Sequence, residues 1–214
     1  MEKVTLPRFR YSTRLHQILF PDLICSAGDS DIHLTFDDGP HPVATVRILN
    51  VLASRSVRAT FFCTGGQVER YPGLVQRMRS DGHEVENHGY SHRGFLFRSA
   101  SFIRSEIAAA DRAIVQHTGR PTRFLRPPFG SFGPTTMTVA RELGKRMVLW
   151  SFDARDFAVR DVDAFLRQVV SHVRPGSILL LHDNDSTEAS IDMYLPRLVD
   201  ELHGRGFSFA PVTA

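Results

Sequence analysis

The sequence predicts an α/β domain with a parallel sheet, and three observations carry that reading. Short strand-patterned segments alternate with helical stripes along nearly the whole chain, the order expected when parallel strands are joined by crossover helices. The run Ile178 to Leu181 is apolar without interruption, which suits a strand covered on both faces. Polar and ionisable residues collect just past strand ends, at Asp37 and Asp38, Asn87 and His88, Arg126, Asp153 and Asp156, and His182 and Asp183. In parallel α/β folds the loops at that edge converge on a ligand, and solvation alone does not place charge there so regularly.

Residues 1–30 read as an arm, with Tyr11, Leu15, Ile18, Leu19 and Leu23 available to pack on the domain that follows; the domain itself is assigned to 31–214. Its first strand, Asp31 to Phe36, alternates Ile32, Leu34 and Phe36 and stops abruptly at Asp37, Asp38, Gly39 and Pro40. Val43 to Ala53 carries a helical stripe, and Arg58 to Cys63 is the second strand. Gln67 to Ser80 is predicted helical with Pro72 near a helix start, and His83 to Glu86 opens the third strand. Asn87 to Ser101 is irregular and rich in aromatics. Ser101 to His117 turns Ile103, Ile107, Ala110 and Ile114 inward and has Gly119 just past its end. Phe124 and Leu125 form a short strand, Pro134 to Leu143 a helix, and Met147 to Phe152 a strand. Asp161 caps a helix to Val173, Ser177 to Leu181 is a strand, Ile191 to His203 the last helix and Phe207 to Ala210 the last strand.

With 214 residues, 42% hydrophobic and 23% charged, the composition is that of one ordinary globular domain. A net charge of +3 with no basic run argues against a nucleic-acid partner. Two cysteines, Cys25 and Cys63, are not needed as a staple at this size, and Cys63 reads as a small buried hydrophobe. Pro21 and Asp22 break the apolar patch Ile18 to Cys25, which argues against a signal peptide or transmembrane anchor and leads us to expect a cytoplasmic protein. Nothing in the sequence sets the oligomeric state.

Two adjacent carboxylates ending a buried strand are costly unless paired or metal-bound, so Asp37 and Asp38 read as a site. His88 and His92, four apart, share one face if locally helical; with a carboxylate they make a two-histidine, one-carboxylate set that leaves positions open for water and substrate. Arg126, which stays charged, pairs with any buried carboxylate near it. His182 follows an apolar strand at the same rim. The remaining histidines, including His33, His41 and His83, are given no role.

The stretches TFDDGPHP (Thr35 to Pro42), NHGYSH (Asn87 to His92), RPPFG (Arg126 to Gly130), WSFDARDF (Trp150 to Phe157) and LLLHD (Leu179 to Asp183) resemble, in order and spacing, the five motifs of the NodB-like polysaccharide deacetylases, carbohydrate esterase family 4. The match runs from Asp31 to about Pro211. The resemblance implies a distorted (β/α)7-type barrel and hydrolysis of acetyl groups from N-acetylated amino sugars in an oligosaccharide or glycan. It implies Asp37 as general base, His182 as general acid tuned by Asp156, and Arg126 holding Asp37. It implies one divalent metal on Asp38, His88 and His92, zinc first, with cobalt, manganese or nickel as alternatives. For substrate it implies the Phe129 amide at the oxyanion and Leu180 in the acetyl pocket, with Pro128 and Phe157 in the same substrate-binding set. Phe157 stands where the family commonly has Trp, and Phe129 where it commonly has Tyr.

Other readings compete. A glycosidase also uses two carboxylates, but needs them roughly 5 to 9 Å apart across a sugar bond, which adjacent Asp37 and Asp38 are badly placed to supply. A phosphoacceptor receiver requires an acceptor Asp and a Lys at later strand ends, where this chain has Glu86 and Ser151 or Phe152. An O-acetyl esterase acting on xylan and a catalytically silent sugar-binding relic complete the alternatives.

Overall fold

The computed structural model describes residues 23–213, so the apolar contacts expected of the arm up to residue 22 lie outside the described residues. Eight strands form one sheet: β1 (Leu23–Ile24), β2 (His33–Asp37), β3 (Thr60–Cys63), β4 (Glu84–Asn87), β5 (Phe124–Leu125), β6 (Arg146–Val148), β7 (Phe152–Asp153) and β8 (Ile178–His182). Their spatial order is β1-β6-β5-β4-β3-β2-β8-β7, and every pairing is parallel. The sheet curls into a half-barrel with the connecting helices outside, as the distorted-barrel expectation requires. The helices are α1 (Ala44–Ser54), α2 (Gly65–Arg70), α3 (Pro72–Ser80), α4 (Ala100–Thr118), α5 (Pro134–Glu142), α6 (Val162–His172) and α7 (Ile191–Gly204). None of them is long and apolar enough to cross a membrane.

Alternation along the strands sorts the side chains. Leu34 and Phe36 of β2, Phe61 and Cys63 of β3, and Leu179 and Leu181 of β8 join the larger core with α1, α6 and α7. Thr35 and Asp37 take the opposite face, where Phe62 and Leu180 lie in the second core with Trp150. Caps stand where the sequence places them: the Asp161 carboxylate accepts from the Ala164 amide at 3.0 Å, and Gly119 is left-handed at the end of α4.

The structure departs from the sequence expectation in four places. Leu23 and Ile24, assigned to the arm, pair with Met147 and Val148 as the edge strand. The predicted helix from Gln67 to Ser80 is two helices, because Tyr71 leaves helical geometry ahead of Pro72, which starts α3. The predicted strand from Met147 to Phe152 breaks, since the chain crosses there from the β5 side of the sheet to the β8 side. The carbonyls of Val148 and Leu149 accept from Arg126 instead, at 3.3 and 2.7 Å. Phe207 to Ala210 makes only a bridge, Phe209 to Ile32, because both edges of β2 beyond that point are already taken by β3 and β8.

Candidate active site

The carboxyl ends of β2, β4, β5, β7 and β8 meet at one rim. Asp37 and His182 are register partners on adjacent strands, about 5 Å apart in backbone and on the same face. Arg126, fully buried after β5, reaches beneath them. Its Nη1 donates to Asp37 Oδ1 at 2.6 Å and to Thr35 Oγ1 at 2.8 Å, and its guanidinium stacks 4.0 Å over Phe62. Burial lowers the Arg126 pKa and the charge and hydrogen bond of Asp37 counter it, so each ion is the other's compensation.

Beside them, Asp38 Oδ1 lies 2.9 Å from His92 Nε2 and 3.5 Å from His88 Nε2, and Asp37 Oδ2 is 3.7 Å from His88 Nε2. Burial works to raise the Asp38 pKa, yet the hydrogen bonds and charges of the two imidazoles hold it far below the usual carboxylate range. His88 Nδ1 faces the Arg126 carbonyl at 2.7 Å; a carbonyl only accepts, so Nδ1 carries a proton and Nε2 is the nitrogen whose lone pair a metal would use. Tetrahedral ligands about 2.0 to 2.1 Å from a zinc ion stand a little over 3 Å apart; Asp38 Oδ1 is close to that distance from each imidazole nitrogen, and all three donor atoms lie within 4.8 Å of one another. The three residues therefore fit a divalent metal with positions left open. A second cluster, His41, Asp185 and Glu188, does not. There His41 Nδ1 accepts from the Val43 and Ala44 amides, so Nε2 bears the proton that it donates to Asp185 at 2.8 Å and has no lone pair to offer.

The histidine pair is brought together by a loop, not by the helical turn its spacing suggests. Gly89 and His92 both have left-handed backbone, φ 74 and 55. Glu106 of α4 holds that loop: one carboxylate oxygen accepts from the Tyr90 and Ser91 amides at 3.1 and 2.8 Å, the other from Ser91 Oγ at 2.9 Å.

On the other flank Asp156 is fully buried. Its Oδ1 takes the proton of His182 Nδ1 at 2.8 Å, while Oδ2 accepts from the His182 amide at 2.8 Å and from Tyr194 Oη at 2.9 Å. Burial disfavours the charged ring, but the Asp156 hydrogen bond and charge, with Asp37 and Asp38 behind them, raise the His182 pKa to about 9.

Phe129 and Phe157 border the two halves. The Phe129 ring, 70% exposed, lies 4.5 Å from the His92 ring, and the Phe157 ring meets His182 edge-on at 5.7 Å. Among the described residues the Phe129 amide has no acceptor, and its backbone is left-handed at φ 61. Leu180 is buried two residues before His182 on β8 and on the same face. Pro128 is also buried, its ring against Gly89, so it supports the histidine loop from beneath.

Several supporting residues were given no role by sequence reasoning. Asp183 accepts from the Gly39 amide at 2.9 Å and from Thr45 Oγ1 at 2.5 Å, tying the aspartate turn to α1; burial pushes its pKa well up. A Cβ on Gly39 would stand 2.0 Å from Asp183 Oδ2, so this close approach admits only glycine. Asn184 Nδ2 donates to Asp38 Oδ2 at 2.6 Å. Glu106 and Tyr194 had a usable signal, a polar group inside an otherwise apolar helical stripe.

Comparison with known proteins gives a consistent picture. The polysaccharide deacetylase family model matches residues 26–148. The chitooligosaccharide deacetylase of Sinorhizobium fredii is 38% identical over 191 residues, covering 84% of this chain and 89% of that protein. A family 4 carbohydrate esterase from Streptomyces lividans, in complex with acetate, superposes with a TM-score of 0.78 at 32% identity, covering 87% of this chain and 95% of that one. A CE4 family pseudoenzyme from Bacillus anthracis gives a TM-score of 0.80 at 26% identity, covering 89% of this chain and 67% of that one.

Proposed function

The chain belongs to the polysaccharide deacetylase family, and from that premise we propose that it hydrolyses N-acetyl groups on amino sugars of an oligosaccharide, with a divalent metal on Asp38, His88 and His92. Likeness to a pseudoenzyme means that the fold alone does not carry catalysis. What supports catalysis is the pairing of Asp37 and His182 in register beside the three candidate ligands.

A cation bound there would act as a Lewis acid toward the acetyl carbonyl and the attacking water. Asp37 has one oxygen bound to Arg126 and the other turned toward His88, and that second oxygen accepts the water's proton. Arg126 keeps the base oriented and, being held by Thr35 and two carbonyls, does not move with it. The free Phe129 amide supplies a hydrogen bond to the oxygen that becomes negative, a contribution on the order of 3 kcal/mol. His182, protonated at neutral pH through Asp156, gives its Nε2 proton to the departing amine. Phe129 and Phe157 flank the sugar with apolar surface.

The test is metal analysis of the purified protein together with acetate release from chitooligosaccharides, acetylated xylan serving as the ester control. Acetate released from the chitooligosaccharides without chain shortening, lost on chelation and restored by zinc, is the expected result. Chain shortening, or acetate from xylan alone, refutes the assignment.

A further inference from the structure

We propose that Asn184 is a positioning residue for the metal centre, holding Asp38 so that only one of its oxygens faces the two histidines. The inference rests on the metal reading of Asp38, His88 and His92 given above.

The orientation of the Asn184 amide is determined by its neighbours. Its Oδ1 accepts from the Ser186 amide at 2.9 Å and from Ser186 Oγ at 2.6 Å, so the end facing Asp38 is the NH2 group, which donates to Oδ2 at 2.6 Å. Asp38 itself stands in left-handed backbone at φ 86, its carbonyl accepting from Thr64 Oγ1 at 3.2 Å. The contacts from Oδ1 to His92 and His88 are hydrogen bonds only while those rings have protons to give. Once both Nε2 lone pairs are committed to a cation, neither ring can donate. Asn184 is then the side-chain donor that stays on the carboxylate in both states.

That contact decides how Asp38 binds. A carboxylate free at Oδ2 can turn to offer both oxygens, which would fill a position needed by water or substrate. With Oδ2 engaged, Asp38 supplies one ligand atom, and three protein ligands leave the centre open as a catalytic site requires. Groups behind metal ligands commonly set affinity by about 10- to 100-fold.

The experiment compares the wild-type chain with Asn184→Ala and Asn184→Asp. Zinc affinity is measured by competition with a chromophoric chelator, and coordination by the visible absorption of the cobalt-loaded protein. Asn184→Ala should weaken zinc by about 10- to 100-fold while moving the thermal midpoint of the metal-free protein by less than about 3 °C. Asn184→Asp keeps an acceptor for Ser186 but cannot donate to Asp38. Both variants should show weaker cobalt bands, because the coordination number rises when Asp38 binds through two oxygens. Wild-type affinity together with an unchanged cobalt spectrum in both variants overturns the role of Asn184 alone. Failure of the wild-type chain to take up either ion overturns the metal reading and this inference with it.

Discussion

Replacing Asp156 with asparagine tests how His182 keeps its proton. In the native site the ring titrates at about 9 although burial works against its charge, and the hydrogen bond and charge of Asp156 lead the opposing contributions. Asparagine cannot replace both roles. Asp156 accepts three donors, from His182 Nδ1, the His182 amide and Tyr194 Oη. With a single oxygen, asparagine facing the latter two turns its NH2 toward Nδ1 and no longer stabilises the charged ring. Left with burial and the more distant Asp37 and Asp38, the imidazole should return to about its ordinary 6.5. At pH 8 a ring with a pKa of about 9 is about nine-tenths protonated, and one with a pKa of about 6.5 about 3%. Asp156→Asn should therefore lose about 30-fold in acetate release at pH 8 and less than about twofold at pH 6 through protonation alone. The assay is initial acetate release from a chitooligosaccharide at saturating zinc across that range. Ring-nitrogen NMR of the metal-free protein gives the titration directly. An equal fractional loss at both pH values, or an unmoved ring titration, would falsify the claim that Asp156 acts through the acid's proton.

The remaining predictions concern the base, the ligands and their supports. Asp37→Asn should retain metal by elemental analysis yet lose about 10²- to 10⁴-fold in turnover, whereas His88→Ala should lose the metal itself. Gly39→Ala puts a Cβ 2.0 Å from Asp183 Oδ2, and overpacking of that kind should cost about 3 kcal/mol, seen as a thermal midpoint about 6 to 12 °C lower. Glu106→Leu strands the Tyr90 and Ser91 amides, so the midpoint should fall by about 4 to 8 °C and zinc affinity by about 10-fold. Glu106→Gln, whose amide can accept from both backbone groups and donate to Ser91 Oγ, should restore most of both.

The strand ends were legible because polar or ionisable residues follow a strand-patterned run at each of them, and a run of alternating residues cannot hide such a change. Asp37, His88, Arg126 and His182 therefore stood out before any geometry was known. What periodicity could not show was pairing at long range. Asn184 reaches Asp38 across 146 positions of chain, and no local pattern marks an asparagine that follows a histidine and an aspartate. The break between β6 and β7 was hidden for a related reason: Met147 to Phe152 is apolar but for Ser151, while the guanidinium that takes the Val148 and Leu149 carbonyls belongs to distant Arg126. Spacing alone found the histidine pair but suggested a helical turn. The left-handed residues Gly89 and His92, with Glu106 accepting the loop amides, achieve the same convergence by another backbone.

The charges at the rim explain why these supports are needed. Three carboxylates, Asp37, Asp38 and Asp156, meet two cationic side chains, Arg126 and protonated His182, so anionic groups outnumber these two partners before the His88 and His92 rings are counted. Each carboxylate here has its own donors: Arg126 on Asp37, Asn184 on Asp38, the His182 ring and amide and Tyr194 on Asp156. Negative charge held in place in this way suits a divalent cation, which on the proposed reading would add positive charge beside the acetyl oxygen and favour the negative charge developing there over the neutral amide that enters. Left-handed backbone at Asp38, His92, Phe129 and Arg155 lies within the stretches that build this pocket, at roughly 1 kcal/mol or more each. Strain of that size persists only where surrounding bonds over-determine it: Thr64 and Asn184 hold Asp38, Glu106 holds the loop that leads into His92, and Asp153 holds the Arg155 amide.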